Sequence, residues 1–357
     1  MREKRLESVL GMEDPLRINV SDTPENIKRG LSEQEELFKY LSGGADFFFR
    51  YDRIPNAFAS KFGKNYSIAI NIGMVETLAA LSYALMADPK NLPQIGTVSG
   101  EDVSPDQLDE LNKNFRKPGY GFKVPSYPKD ARRFEAAQRF ASGAILFIFC
   151  HELAHVFNGH LAYLTSTSEN VFVHDELGVH TPRGSREMAF TLRALELDAD
   201  ICGTINGLTF WENLYKIYDY GRDLGAIGPI ESWQVSIELA SWALILLQEP
   251  RANYEGSSHP APAVRMINLN TIDLFFSRSR NEKFQSGITG WVASHFLVPK
   301  FGKKQVASLF LPEYIDREIK DLRAKYESLT PDLLLAVGTL ELAHPMEMIS
   351  PTKFPLG

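Results

Sequence analysis

GAILFIFCHELAHVF, residues 143–157, is the stretch of this chain that predicts most about its fold and its chemistry. Its first half is almost wholly apolar, which indicates a buried segment. Its second half carries the HExxH pattern, in which two histidines stand four residues apart. On a helix, His151 and His155 project from the same face and can bind one metal ion together. The sequence therefore predicts a buried helix from about Ala131 to Asn158 that presents two metal ligands.

Glu152 lies between these histidines and points partly off their line. This position lets a carboxylate handle the protons of a water molecule without being a ligand itself. The alternative is a surface pair of histidines on an amphipathic helix. The apolar run 143–150 argues against that alternative, because buried imidazoles need hydrogen-bond partners or a metal. The pattern indicates a zinc hydrolase, with a peptidase as the expected kind.

A catalytic zinc site needs a third protein ligand, with the fourth position left for water. The segment LELDAD supplies a candidate, since Glu196 and Asp200 are four residues apart on a predicted helix over 186–205 and share a face. We expect Glu196 to be the carboxylate ligand and Asp200 to accept the outer N–H of a ligating histidine. Gly203 would let this helix pack closely against another. An exposed acidic stripe is the alternative, but the surrounding leucines argue against it.

Three other histidines are possible ligands. His160 follows His151 by nine residues, which is about 900° of rotation on a straight helix and places the two on opposite sides. We therefore expect His160 to be a helix-terminal residue. His174 and His180 fall in a predicted loop over 164–185, and no spacing selects either of them as a ligand.

Three motifs in this order resemble those of the gluzincin metallopeptidases. HExxH is followed by the E-x-x-A-D sequence at 196–200, and then by His259-Pro260 with Arg265 five residues later. This version is similar to the CAAX-prenyl-protease and HtpX group. It looks closer to the soluble phage-exclusion peptidases of the Lit type, because the spanning helices of the membrane enzymes are missing here. The resemblance covers roughly residues 131–270.

The resemblance implies a zincin-like helical catalytic core that binds one Zn²⁺ per chain. The ligands would be His151, His155 and Glu196, and Glu152 would act as general base. His259 or Arg265 would stabilise the oxyanion or hold the cleft together. The alternative is that His259-Pro260 forms a turn and that Arg265 pairs with a structural acid.

The implied substrate is a protein or peptide, and the implied biology is a phage-defence or regulatory protease that cleaves a host protein. Two alternatives stay open. One is a zinc hydrolase of a small amide or ester, and the other is a non-catalytic metal-binding regulatory protein. Glu152 discriminates against the second, because a purely structural zinc site has no use for a carboxylate at that position.

The fold class expected is α+β and mostly α, with a small sheet contributed by the N-terminal region. Residues 66–72, YSIAINI, alternate as a half-buried strand does, and the strand could line the cleft and pair with substrate. A capping box at 32–35 predicts the start of an earlier helix. Six prolines make 88–130 a surface excursion with one short helix around 104–115.

Two regions are predicted along the chain. Residues 1–130 would form an N-terminal α+β region that includes the excursion. Residues 131–357 would form the helical zinc-peptidase core, with a C-terminal helix near 313–328. The two regions could also make one compact domain.

The composition is that of an ordinary globular protein, with 357 residues, 44% hydrophobic residues and a net charge of −7. Mixed charges give no basic field for nucleic acid. Cys150 and Cys202 are the only cysteines, so we expect buried thiols in a reducing compartment. The charged N-terminus is unlike a secretory signal, and no stretch approaches eighteen apolar residues. These features predict a cytoplasmic protein without a membrane span; they leave the oligomeric state open.

Overall fold

A computed structural model describes residues 24–116, 126–167, 173–175, 186–218, 220, 224, 227–247, 260, 264–265, 291–297 and 312–337. The helices are α1 (Pro24–Leu41), α2 (Ile72–Ala87), α3 (Pro105–Arg116), α4 (Ala131–Phe157), α5 (His160–Thr167), α6 (Arg186–Ile217), α7 (Pro229–Leu247) and α8 (Pro312–Val337), with a π-helical turn at Ala293–Leu297. The strands are β1 (Asp46–Arg50), β2 (Ala57–Phe62), β3 (Asn65–Asn71) and β4 (Val173–Asp175). The predicted class, α+β and mostly α, is confirmed.

Most of the predicted helices are present, and two are longer than their sequence patterns indicated. The helix predicted over 186–205 continues to Ile217. The C-terminal helix predicted near 313–328 continues to Val337, with Pro331 inside it. The predicted start of the first helix at the capping box is wrong. That helix begins at Pro24, so residues 32–35 lie within it. Proline is favourable in a first turn, because its missing N–H has no acceptor within the helix there.

The sheet has the strand order β1-β3-β2-β4. β1 is parallel to β3, while β2 is antiparallel to both β3 and β4. The β2–β3 hairpin turns at Gly63, whose φ of 59° is a conformation that glycine adopts without strain. Three strands come from the N-terminal region as expected. The fourth comes from the segment between α5 and α6 that was predicted to be a loop.

β3 lies inside the sheet and not at its edge. It pairs with β1 along one side and with β2 along the other, which uses its backbone hydrogen bonds. The prediction that this strand pairs with a substrate backbone is therefore wrong. The error arose because alternation of polar and apolar residues predicts a strand but says nothing about its neighbours. β1 and β4 are the edges of the sheet.

An aromatic cluster joins the sheet to α4. Phe47 and Phe49 of β1 point inward, and Phe47 packs edge-on against both Phe38 of α1 and Phe149 of α4. The rings of Phe38 and Phe149 stack with centroids 4.3 Å apart. Since Phe149 precedes His151 by two residues, the sheet supports the turn of α4 that carries the first histidine.

α4 is the central helix, and it is buried from Ala136 to Phe157. It packs against α2, α6 and α7. The neighbour α7 approaches at Gly143, where a Cβ atom would lie 2.3 Å from the hydroxyl of Ser236. Close approach of this kind explains how a helix that is apolar all round can be enclosed by other helices.

Within the part of the chain that the structure describes, two helices are long and apolar enough to cross a membrane, judged by length and composition alone. They are α4 and α7, whose apolar windows are 100% and 78% buried within the protein. Core helices of soluble proteins share these properties, so the cellular location stays a prediction.

Arg133, near the start of α4, binds residues 86–95, the segment in which the proline-rich excursion begins. Its guanidinium is buried and donates five hydrogen bonds of 2.8–3.1 Å to backbone carbonyls, those of Met86, Asp88, Asn91, Leu92 and Ile95. Arg133 precedes His151 by about 27 Å along the helix, at ~1.5 Å per residue. Residues 86–95 are therefore held far from the HExxH turn.

α8 packs across the outer side of α5 and α6. Ile315 and Leu322 contact Ala194 and Leu197 of α6 in one small cluster. A second cluster joins Leu329 and Leu333 to leucines of α5 and α6. The C-terminal helix thus buries apolar residues of α6 that flank Glu196 in the sequence.

Candidate metal centre

The structure brings the three predicted ligands together between α4 and α6. The Nε2 atoms of His151 and His155 lie 3.1 Å apart. Glu196 presents one carboxylate oxygen 3.5 Å from His151 Nε2 and the other 3.3 Å from His155 Nε2. All three side chains are at most 1% exposed. Two ligand atoms each about 2.05 Å from a tetrahedral ion are about 3.3 Å apart, so this donor set fits a metal ion.

Gly203 sets how closely the two ligand helices approach. A Cβ atom at this position would lie 2.9 Å from the backbone nitrogen of His151 and 3.0 Å from its Cα. Real Cβ atoms essentially never come so near to backbone. The absence of a side chain on α6 therefore permits the distance at which Glu196 reaches both histidines.

Asp200 pairs with the outer nitrogen of His151, at 3.0 Å from Nδ1. Burial would raise the pKa of the Asp200 carboxyl, but the charge of Arg265 and the hydrogen bond with His151 outweigh it and hold the pKa below its ordinary value. An ionised carboxylate accepts hydrogen bonds and cannot donate them. Asp200 therefore favours a proton on Nδ1 of His151, the ring nitrogen opposite the Nε2 atom that faces the centre.

Arg265 forms a two-pronged ion pair with Asp200. Its Nε lies 2.9 Å from one carboxylate oxygen and its Nη2 lies 2.7 Å from the other. Nη2 is also 3.9 Å from Glu196. This is the pairing with an acid that was considered as the alternative role of Arg265; a direct part in catalysis stays a prediction. His259 lies outside the described residues.

His155 has a different partner on its outer side. His160 places Nδ1 3.0 Å from Nδ1 of His155, and its Nε2 lies 3.1 Å from Asp198. The same oxygen of Asp198 accepts a 2.6 Å hydrogen bond from the side-chain amide of Asn158. Sequence reasoning missed both His160 and Asp198 as parts of the site. The sequence signal for Asp198 was its place inside LELDAD, between Glu196 and Asp200.

The chain bends sharply between His155 and His160. α4 ends at Phe157, Gly159 has a φ of 76°, and α5 begins at His160. The rotation of nine residues along a straight helix therefore does not apply. The break turns His160 back onto the side of His155, where it is fully buried.

No family model, curated protein or solved structure matches this chain. The likeness to gluzincin motifs therefore depends on the residues themselves. What the structure adds is the cluster of His151, His155 and Glu196, a group that can hold a metal ion.

Glu152, His174 and His180 are the remaining candidate residues. Glu152 is buried, at 1% exposure, directly beside His151 in the chain. His174 belongs to β4, where its backbone pairs with Ala59, and His180 lies outside the described residues. His174 is not part of the described cluster.

Cys150 and Cys202 form no disulfide bond, and both are buried thiols, as predicted. Burial raises the pKa of both thiols, and the nearby charge of Asp198 raises that of Cys202 further. Thiols in this state are poor nucleophiles and poor metal ligands.

Proposed function

We propose that this protein is a zinc-dependent peptidase that binds one Zn²⁺ per chain. The observation that carries the proposal is the convergence of two imidazole Nε2 atoms and the Glu196 carboxylate, with the buried Glu152 next to His151 in the chain. Two histidines and one carboxylate, with a fourth position for water, are a donor set typical of catalytic zinc. Softer thiolate sites would favour a structural role, and the two cysteines take no part in this cluster.

Bound zinc would lower the pKa of water and polarise the scissile carbonyl. Glu152 would accept a proton from the attacking water at its carboxylate and pass it to the leaving amine. Asp200 would hold His151 with Nε2 unprotonated, and Arg265 would keep Asp200 ionised.

Glu152 supports hydrolysis over a structural metal site. Burying a carboxylate costs free energy that only favourable contacts offset. A site that serves stability alone gains nothing from a second carboxylate beside its ligands, whereas a hydrolase needs a proton acceptor there. The alternative of a non-catalytic metal-binding protein is therefore less well supported.

The motif order supports a protein or peptide as substrate and, by the same likeness, a phage-defence or regulatory role in the cytoplasm. The burial of the cluster favours a second candidate, hydrolysis of a small amide or ester. His155 and Glu196 are each 0% exposed, and a small molecule requires less opening of the protein than a polypeptide does. The test below includes both substrate classes.

The test compares the wild type with Glu152→Gln. Plasma mass spectrometry should find about one zinc per chain in both proteins. Mass spectrometry of newly formed N-termini in cell extract should show cleavage by the wild type alone. Glu135→Gln, at the start of the same helix, is the matched control and should keep full activity.

Three outcomes would count against the proposal. Wild-type protein that binds no zinc would remove the metal centre. A fully active Glu152→Gln would remove the proposed general base. Hydrolysis of small amides or esters, without cleavage in a peptide library or in extract, would select the second candidate.

A further inference from the structure

We propose that His160 and Asp198 are positioning residues that hold His155 in the protonation state needed for metal binding. The inference rests on the proposed metal centre, and concerns how the second histidine ligand is prepared. The two ligands are supported differently. His151 contacts a carboxylate directly, at 3.0 Å from Asp200, whereas His155 reaches Asp198 through the intervening imidazole of His160.

The contacts from His155 through His160 to Asp198 allow one arrangement of protons that leaves Nε2 of His155 unprotonated and able to bind a metal ion. A neutral imidazole carries one proton, so a free Nε2 requires the proton on Nδ1. Nδ1 of His155 then donates to Nδ1 of His160, 3.0 Å away. His160 must accept there, so its own proton is on Nε2, which lies 3.1 Å from the Asp198 carboxylate.

The opposite arrangement would prevent metal binding. If Nδ1 of His160 carried the proton, Nδ1 of His155 would have to accept it. The proton of His155 would then sit on Nε2, which faces Glu196 at 3.3 Å. Glu196 favours this state, because a carboxylate close to a ring nitrogen favours a proton there. Asp198 opposes it in the same way, from 3.1 Å at Nε2 of His160.

Asp198 is itself held in place by neighbours. Its Oδ2 accepts a 2.6 Å hydrogen bond from the side-chain amide of Asn158. Asn158 is the C-cap residue of α4, immediately before the bend at Gly159. Asp198 and His160 are 2% and 0% exposed. Water is thus kept from competing for these contacts, and His160 is held by His155 on one side and by Asp198 on the other.

The first test needs no variant. Zinc-loaded protein labelled with ¹⁵N in its histidines should show, in long-range ¹H–¹⁵N spectra, His155 protonated on Nδ1 and His160 protonated on Nε2. A spectrum with the proton of His155 on Nε2, or that of His160 on Nδ1, would overturn the proposal.

The second test separates hydrogen bonding from packing. His160→Leu fills the space but cannot accept a proton, and zinc affinity should fall about 10- to 100-fold. His160→Asn offers an acceptor near the position of Nδ1 and should recover a large part of that loss. His295→Leu, in the π-helical turn away from the centre, is the control and should bind zinc as the wild type does.

The outcomes distinguish this inference from the proposed function. Wild-type protein without zinc affinity would reject the metal centre itself. A wild type that binds zinc, together with a His160→Leu that binds it equally well, would reject the role of His160 and leave the metal centre intact. Equal losses in the Leu and Asn variants would show that His160 acts by packing, which also overturns the inference.

Discussion

Gly203 of α6 lies so close to His151 of α4 that a Cβ atom on it would be 2.9 Å from the His151 backbone nitrogen. The contact joins the helix that carries two ligands to the helix that carries the third. Because the opposing atoms are backbone, they cannot rotate aside as a side chain would. The geometry of the metal centre thus depends on an atom that is missing from position 203.

Gly203→Ala should weaken zinc binding by about tenfold or more, since it forces apart the helices that hold the ligands. It should also reduce the free energy of unfolding by about 1–3 kcal/mol through overpacking. Zinc titration and urea denaturation measure the two effects. Gly207→Ala is the control, because its Cβ would meet the ring of Trp233 and not a ligand helix backbone. That variant should lose stability but keep zinc affinity; equal affinity in both variants would contradict the argument.

Arg133→Met should reduce the free energy of unfolding by about 3 kcal/mol or more. The substitution removes the guanidinium from five buried carbonyls. Those of Asp88 and Leu92 keep a backbone donor, but a buried group left unsatisfied costs about 1–3 kcal/mol. Arg132→Met is the matched control, since Arg132 is exposed at the neighbouring position. Urea denaturation should show almost no change for that control. Similar losses in both variants would mean that the hydrogen bonds of Arg133 contribute little.

Asp130 caps α4, and its contribution should depend on pH. Partial burial would raise the pKa of its carboxyl, but hydrogen bonds from backbone N–H groups, including that of Arg133, hold it below the ordinary value of 3.8. Because the folded-state pKa is the lower one, the stabilisation is complete above pH 3.8 and is lost as pH falls through the folded-state value.

Asp130→Ala should therefore cost about 1 kcal/mol of stability near pH 7. The difference from the wild type should shrink as the pH drops below 3.8. Thermal unfolding between pH 7 and pH 3 measures this dependence. Asp130→Asn keeps a capping oxygen without the titration, so its difference from Asp130→Ala should not shrink in the same way. A constant gap between wild type and Asp130→Ala would contradict the assignment.

Arg265→Met should destabilise the metal-free protein by about 3–5 kcal/mol, because it leaves the buried Asp200 carboxylate without its principal counter-charge. The double variant with Asp200→Asn should regain part of the loss, since the uncompensated charge is then gone. Chemical denaturation of the wild type, the two single variants and the double variant gives the coupling energy. Additive losses would show that the pair is not coupled.

The sequence predicted the parts of the site that follow from helical periodicity. A spacing of four places His151 with His155, and Glu196 with Asp200, on common faces whatever the rest of the fold does. The buried length of α4 followed from an apolar run without breakers. These are local consequences of chain geometry, so one sequence was enough to derive them.

The remainder depended on where the chain changes direction. His160 joins the site only because Gly159 adopts a positive φ, and a glycine in a sequence shows that such a turn is allowed but not that it occurs. β4 is three residues long and is defined by its partner β2. The position of β3 inside the sheet likewise depends on pairing between distant segments, which periodicity does not encode.

Each histidine ligand is supported by a chain of buried polar contacts. One chain runs from Arg265 through Asp200 to His151, and the other runs from Asp198 through His160 to His155. These chains affect how a mutational scan of this protein is interpreted. Inactivating substitutions would be found at many positions whose side chains touch neither substrate nor ion. Loss of activity at a buried polar position of this protein would then be a poor guide to chemistry. Residual activity restored by excess zinc would identify the supporting positions, whereas a defect that excess zinc leaves unchanged would identify the chemical ones.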